Sequence, residues 1–311
     1  MHFIITGGAG FIGSHLAELL LEEGHRVTIV DNLVTGRLQN LPCHPCLKFL
    51  EKDVLRCQPE DFPSFIDGIA HLAATPSVTE SWLEPLKGHS NNLSTTVNVI
   101  QLCQSLGISR LVFASSAAIY GNQTKLPISE ERETNPISPY GLQKLVSEKY
   151  AELFSQQIGM STIALRLFNV FGPRQVPTSP YSGVVSKFVS AMRYNQPLTM
   201  YGDGTQTRDF IYVKDVAKAF STALTNPLPA GSCLICNIAT SQSTSLLQLI
   251  DILKTCFPDW RAPIHFLPAR IGDIQHSQAD ISKAFSMLGF TPKWSVEEGM
   301  KLLAESLYLD K

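Results

Sequence analysis

The sequence predicts an α/β protein, a doubly wound parallel sheet carrying a smaller, mixed α/β substrate-binding lobe. Three observations carry this. Over the first 170 residues, short runs rich in Val, Ile and Leu alternate with helical patterns, the order that buries a parallel sheet between helices. A glycine-rich turn joins the first run to the first helix. From Phe171 onward, segments dense in Pro, Gly and Ser separate further helices. The expected division is therefore 1–170, extended by part of 209–240, against 171–311.

HFIIT (2–6) is the first strand and residues 11–23 the first helix. Between them TGGAGFIGSH spaces Gly7, Gly10 and Gly13 as GxxGxxG. Glycines there let the chain turn tightly and bring backbone N–H groups to a pyrophosphate at the helix N-terminus. Taken alone such a turn is weak, but here a strand precedes it, a helix follows it, and an acid ends the next strand. That strand is HRVTIVDN (25–32), and the acid is Asp31. A carboxylate at this place accepts from a ribose 2′-hydroxyl and repels a 2′-phosphate, which favours NAD over NADP. LKFLEKD (47–53) is the third strand, and Asp53 with Val54 at its end is placed to meet the adenine. GIAHLAA (68–74) is the fourth, where His71 reads as a packing residue. The candidate cofactor contacts are Gly7, Gly10, Phe11, Ile12, Gly13, Asp31, Asn32, Asp53, Val54, Leu72, Ala73, Ala74, Tyr140 and Lys144.

A long helix is expected over about 85–106, then the strand RLVFASS (110–116), a second long helix over about 139–157, and the strand STIALRLFNV (161–170). In SPYGLQK, Tyr140 precedes Lys144 by four residues, which places both on one helical face. An ammonium beside a phenol favours the phenolate, so this spacing predicts a lowered Tyr140 pKa and a general base. The bland alternative, an amphipathic helix with a surface lysine, loses weight beside the glycine turn and the hydroxyl-ended strand. Ser116 is expected to hydrogen-bond the oxygen whose proton Tyr140 removes; Ser115 is the lesser candidate. Further helices are expected near 183–194, 214–225, 244–256 and 296–308, and GSCLICNIAT (231–240) as a strand returning to the first sheet.

Composition excludes several classes of partner. The net charge of −2, with 44% hydrophobic and 17% charged residues, describes an ordinary globular chain with no general field for nucleic acid or an anionic membrane. No stretch approaches a membrane span, and no signal peptide precedes the first strand. Seven scattered cysteines fit a reducing cytoplasm. Cys233 and Cys236 point to opposite faces of a strand and so cannot share a metal. Cys43, His44 and Cys46 lie together in a loop, but a closed tetrahedral site needs a fourth ligand. No metal site is expected.

TGGAGFIGSH, Asp31, HLAA, the Ser116–Tyr140–Lys144 set, LRLFNVFGPRQ, GDGTQTRDFIYVKDVA, PARIGD and ADISKA (279–284) together resemble the extended short-chain dehydrogenase/reductase family of nucleotide-sugar epimerases and dehydratases. The likeness runs from Met1 to the C-terminal helix and implies a Rossmann-type NAD-binding domain. Within that family, residues after the catalytic hydroxyl sort the chemistry: an Asp-Glu pair in 4,6-dehydratases, a glutamate in decarboxylases, a cysteine in reductase-epimerases. This chain has Ala117 and Ala118, neither of which moves a proton. The resemblance therefore implies reversible redox at one sugar carbon, the chemistry of an NAD-dependent 4-epimerase acting on UDP-glucose/UDP-galactose, UDP-GlcNAc/UDP-GalNAc or both.

The resemblance further implies substrate contacts from Ser116, Asn169, Tyr201, Arg208, Arg270, Asp273 and Ser277. Arg208 and Arg270 match the diphosphate-gripping arginines, Asn169 a diphosphate donor, Asp273 the ribose acid and Tyr201 the aromatic beside uracil. A small residue such as Ser277 at its position goes with acceptance of 2-acetamido sugars. The two long helices match those that pair as a four-helix bundle in family homodimers. Two alternatives stay open: an epimerase or oxidoreductase for UDP-glucuronate or a CDP- or GDP-sugar, and a non-catalytic NAD-binding regulator. The second normally lacks the base or its lysine, and both are present here.

Overall fold

The computed structural model of the chain describes residues 1–175, 183–269 and 274–309. Its first half runs β1 (His2–Thr6), α1 (Phe11–Glu22), β2 (Arg26–Asp31), β3 (Leu47–Glu51), β4 (Gly68–His71), α2 (Val78–Leu83), α3 (Pro85–Gly88), α4 (Thr95–Leu106), β5 (Arg110–Ser116), α5 (Pro139–Ile158) and β6 (Ser161–Leu167). The remainder runs β7 (Asn169–Phe171), α6 (Val184–Arg193), β8 (Leu198–Tyr201), β9 (Thr207–Arg208), β10 (Phe210–Tyr212), α7 (Val213–Thr225), β11 (Cys233–Ile238), β12 (Thr244–Ser245), α8 (Leu246–Cys256), β13 (Ile264–Leu267), α9 (Ser282–Leu288) and α10 (Val296–Leu309).

Seven strands form one sheet in the order β3-β2-β1-β4-β5-β6-β11, every neighbour parallel. The strand order reverses between β1 and β4, so their carboxyl ends diverge into the crevice where ligands bind in such sheets. Strand periodicity divides the apolar residues between two faces. Phe3 and Ile5 of β1 pack with Leu16 and Leu20 of α1 and Phe220 of α7. Ile4 faces the other way, in the cluster holding Val99 and Ile100 of α4 and Ala151 of α5. A separate cluster joins Phe188 and Met192 of α6, Met200, Phe210, Leu249 and Met300. The segment GSCLICNIAT does return to the sheet, Cys233–Ile238 pairing with Thr162–Leu167.

Several boundaries differ from the sequence expectation, for local reasons. The helix expected over 85–106 is three pieces: α3, a π-helical turn at His89–Ser94, and α4. There the Thr96 hydroxyl donates to the Asn92 carbonyl at 2.7 Å and the Thr95 hydroxyl to that of Asn91 at 2.7 Å, competing with backbone N–H groups and widening the turn. The third strand stops at Glu51, because Asp53 caps a short turn by accepting from the Leu55 N–H at 2.9 Å. The fourth stops at His71, and β6 breaks at Phe168 before β7. α8 starts at Leu246, where Ser245 and Gln248 form a reciprocal capping box.

Candidate active site

The glycine turn is shaped by close backbone approach. Gly7 has φ +69°, and a Cβ on it would lie 2.7 Å from the Ala73 nitrogen and 2.8 Å from its Cα. A Cβ on Gly13 would fall 2.3 Å from the Gly7 oxygen. Side chains are excluded at both positions, and the first-turn N–H groups of Phe11 and Ile12 have no intrahelical acceptor and no capping side chain. Gly10 is the N-cap residue in extended conformation. At the end of β2, buried Asp31 accepts from the Ala9 N–H at 3.0 Å and the Leu33 N–H at 2.8 Å. Burial raises its pKa, against those two hydrogen bonds. Gly36 lies so close over it that a Cβ there would sit 2.7 Å from Asp31 Oδ1.

Across the crevice the Leu72 N–H donates to the Thr6 carbonyl at 3.0 Å and the Ala73 N–H to the Thr6 hydroxyl at 3.4 Å, with half-buried Ala74 following. His71 is buried between Thr6 Oγ1 at 2.7 Å and Thr96 Oγ1 at 3.2 Å. Burial, then the nearby Lys144 charge, lowers its pKa to about 3, so it is neutral. Asp53 has spent one oxygen on its own turn, Val54 is buried, and Asn32 is exposed with its side chain accepting from the Val34 N–H at 3.2 Å. A turn closed to side chains at Gly7 and Gly13, a helix start open to anions and a buried acid at the next strand's end fit a dinucleotide.

The three chemistry-bearing side chains meet at the carboxyl end of β5. Ser138 caps α5, accepting from the Gly141 N–H at 3.1 Å, and Pro139 starts the helix, so Tyr140 and Lys144 lie in its first turns. A Cβ on Gly141 would meet the Ala118 oxygen at 2.5 Å, so α5 begins backbone-to-backbone against the Ala117–Ala118 turn. Ser116 caps that turn, its Oγ accepting from the Ala118 N–H at 3.2 Å, and its hydroxyl is hydrogen-bonded to the Tyr140 phenol. Ser115 faces away and donates to Glu148 at 2.5 Å. Lys144 is buried and donates to the Ala114 carbonyl at 2.8 Å. Burial, opposed by Glu148, pushes its pKa down to about 8.

The spacing argument for Tyr140 needs correction. Its pKa is raised, not lowered: burial of the phenolate outweighs the hydrogen bond from Ser116, and the Lys144 charge is not among the causes. The Lys144 Nζ stands 6.0 Å from the phenol ring centroid and is itself desolvated.

Among the described residues, Asn169, Arg208 and Ser277 lie on neighbouring, hydrogen-bonded segments. β7 pairs with β10, which sets Asn169, exposed, opposite Phe210 and beside half-buried Arg208. Arg208 Nη1 donates to the Thr207 carbonyl at 2.8 Å. The segment carrying Ser277 is tied alongside: the Thr207 N–H donates to the Gln275 carbonyl at 2.9 Å, and Asp209 accepts from the Ala279 N–H at 3.0 Å. Ser277 is buried, and Tyr201, half-buried, ends β8. Arg270 and Asp273 lie outside the described residues. Asp209 was not anticipated; burial raises its pKa to about 6 against hydrogen bonds from Thr240 and Ala279.

Two more residues escaped the sequence reading. Ser81 Oγ accepts the Tyr140 N–H at 3.2 Å, and the Asn92 amide accepts from the Thr75 N–H at 2.8 Å, fixing the chain beyond β4. Each contact crosses a gap in sequence that no local spacing announces. Among the described residues no group of His, Cys, Asp and Glu is arranged to hold a metal, and no helix is long and apolar enough to cross a membrane.

Residues 3–239 match the family described as "NAD dependent epimerase/dehydratase family". A putative UDP-glucose 4-epimerase of Methanocaldococcus jannaschii is 38% identical, covering 96% of this chain and 95% of its own. The UDP-N-acetylglucosamine 4-epimerase of Methanobrevibacter ruminantium, solved with UDP-N-acetylmuramic acid, superposes with a TM-score of 0.93 at 35% identity over 100% of this chain and 99% of its own. The UDP-glucose 4-epimerase of Thermotoga maritima, solved with UDP-glucose, gives 0.92 at 34% identity, again over 100% and 99%.

Proposed function

The chain belongs to the NAD dependent epimerase/dehydratase family, and on that premise we propose that it is a UDP-sugar 4-epimerase built on Ser116, Tyr140 and Lys144. The observation that carries this reading is the meeting of those three side chains at the end of β5, in a sheet whose first turn admits no side chain at Gly7 or Gly13. NAD, when bound, would supply reversible hydride transfer at carbon 4 of the sugar. Gly7, Gly10, Gly13 and the α1 start would hold its pyrophosphate, Asp31 its ribose, and Asp53 and Val54 its adenine, with Asn32 alongside.

Tyr140 takes the 4-hydroxyl proton and gives it back. Ser116 orients that oxygen, and it alone among the polar neighbours offsets the burial that keeps the phenol protonated. Lys144 bridges α5 to β5 and holds the nicotinamide-side ribose. Ala117 and Ala118 confine the chemistry to carbon 4, since neither methyl delivers a proton to carbon 5 or 6. Asn169, Tyr201, Arg208, Arg270 and Asp273 hold the nucleotide diphosphate, guanidinium groups suiting bidentate phosphate contacts. Small Ser277 goes with acceptance of UDP-GlcNAc and UDP-GalNAc, a cytoplasmic supply of sugars for polysaccharide biosynthesis. In domain terms, 1–170 with part of 209–240 binds the dinucleotide and 171–311 the UDP-sugar.

A homodimer through α4 and α5 of two copies, forming a four-helix bundle, belongs to the same reading. The support is a set of exposed apolar side chains on α5, Leu142, Tyr150 and Leu153 (67% exposed), together with Leu86 of α3 (85% exposed). A monomer by light scattering would refute it.

The test is a panel of UDP-glucose, UDP-galactose, UDP-GlcNAc and UDP-GalNAc, each followed by NMR for its 4-epimer. At least one is interconverted, and Tyr140→Phe lowers the rate by about 10³ while NAD stays bound. No turnover of any of them overturns the reading.

A further inference from the structure

Glu148 and Arg166 are a charged pair that the proposed chemistry leaves unused. They are 1% and 4% exposed. Arg166 Nε donates to Glu148 Oε1 at 2.9 Å and Nη2 to Oε2 at 2.8 Å, a bidentate pair between α5 and β6. Charges buried this deeply seldom stabilise a fold more than apolar residues of the same shape would. Their place therefore asks for a reason beyond stability.

The pair reaches the site from two sides. Glu148 stands one helical turn beyond Lys144, on the same face of α5. Its Oε1 also accepts the Ser115 hydroxyl at 2.5 Å, and Ser115 is joined by one peptide bond to Ser116. Arg166 Nη1 donates to the Tyr120 hydroxyl at 2.9 Å, and the guanidinium lies 4.9 Å from that ring's centroid. Tyr120 closes the alanine turn, its N–H donating to the Ala117 carbonyl at 3.1 Å, and its hydroxyl is anchored on Asn237 at 2.6 Å. Residues 115–120, which carry Ser116, Ala117 and Ala118, are thus pinned at both ends by one ion pair.

We propose that Glu148, held by Arg166, is a positioning residue that fixes Ser116 against Tyr140 and sets its carboxylate charge one helical turn from Lys144. The inference rests on the epimerase reading for its role in turnover. Lys144 is faced by Tyr140 and Glu148 from its own helix and by neutral His71 from β4. β5 offers it only the Ala114 carbonyl, and Arg166 of β6 stands behind Glu148. Among the charges of the described residues, that of Glu148 alone favours the Lys144 ammonium, against burial.

Glu148→Gln keeps the shape and removes the charge. The Lys144 titration, followed by NMR of lysine labelled with 13C at Cε, shifts to lower pH by about half a unit or more, while Glu148→Asp keeps it near the wild-type position. With a UDP-sugar that the wild type epimerises, Glu148→Gln lowers kcat by about tenfold or more and moves the alkaline limb of kcat to lower pH, leaving KM and bound NAD within about twofold. Ser115→Ala lowers kcat by about threefold or more without moving the limb, because Glu148 keeps its charge. An unchanged Lys144 titration in folded Glu148→Gln overturns the proposal, as does a fall in kcat matched by lost NAD with the limb unmoved. If Glu148→Gln does not fold, Ser115→Ala decides, and a wild-type kcat there overturns it. A wild type that epimerises no UDP-sugar faults the epimerase reading alone, since the Lys144 titration still judges the pair.

Discussion

Replacing Gly7 by alanine tests whether the glycine turn is shaped by contact or only by backbone conformation. Two costs arise. Alanine at φ +69° adopts the left-handed region, costing about 1–2 kcal/mol. Its Cβ would also stand 2.7 Å from the Ala73 nitrogen, where ordinary contact begins at 3.4 Å. Backbone cannot rotate aside, so the end of β4 must retreat by about 0.7 Å to restore van der Waals contact. That stretches the Leu72-to-Thr6 hydrogen bond, now 3.0 Å, beyond bonding range and weakens the 3.4 Å contact of Ala73 with the Thr6 hydroxyl. Losing them costs about 1–2 kcal/mol more. Gly107→Ala is the matched control, with φ +65° and nothing within 4 Å of the added Cβ. Differential scanning calorimetry should place Gly7→Ala about 1.5–3 °C below Gly107→Ala. NAD titration should show an affinity about tenfold or more weaker for Gly7→Ala alone, since the displaced N–H groups no longer converge on one site. Equal melting points and equal NAD affinities for the two variants would refute the argument from contact.

Three further outcomes follow from particular residues. Ser277→Tyr should cut turnover of UDP-GlcNAc far more than that of UDP-glucose, by about tenfold or more in the ratio of kcat/KM; equal losses would contradict a role in admitting the acetamido group. His71 has its pKa depressed to about 3 by burial, so its contribution to stability is complete above the unfolded value of 6.5 and is lost as pH falls towards 3. Calorimetry from pH 6.5 to 4 should therefore show wild type losing about 1.4 kcal/mol per pH unit more than His71→Gln, with Asp209 common to both; parallel curves would contradict a neutral buried His71. Leu153→Glu should convert a dimer to monomer in light scattering without changing the fold by circular dichroism, and an unaltered mass would move the interface elsewhere.

What could be read from the sequence was local. The strand–turn–helix around Gly7, Gly10 and Gly13, the acid Asp31, and the Tyr140–Lys144 spacing each lie within one or two consecutive elements, where periodicity and steric rules act directly. Ser115 and Ser116, adjacent on a strand, face opposite ways, and Ser115 is occupied by Glu148. The direction of the Tyr140 pKa was misread because spacing counts the neighbouring charge and cannot count burial. Ser81 beneath Tyr140, Asn92 clamping Thr75, and the Glu148–Arg166 pair are meetings made by topology, between segments that carry no mark of one another. The π-helical turn at His89–Ser94 had a faint signal in Thr95 and Thr96 just after it, whose hydroxyls compete for its backbone carbonyls, but helical periodicity masked it.

The most direct measurement follows the hydrogen at carbon 4. A UDP-sugar carrying deuterium there is incubated with the wild-type protein in ordinary water, and the product is read by NMR. If Tyr140 moves the hydroxyl proton while the hydride leaves and returns within one site, the 4-epimer forms and keeps its deuterium. A 4-epimer that has exchanged its deuterium for solvent hydrogen, or a failure to form any 4-epimer, would contradict the account.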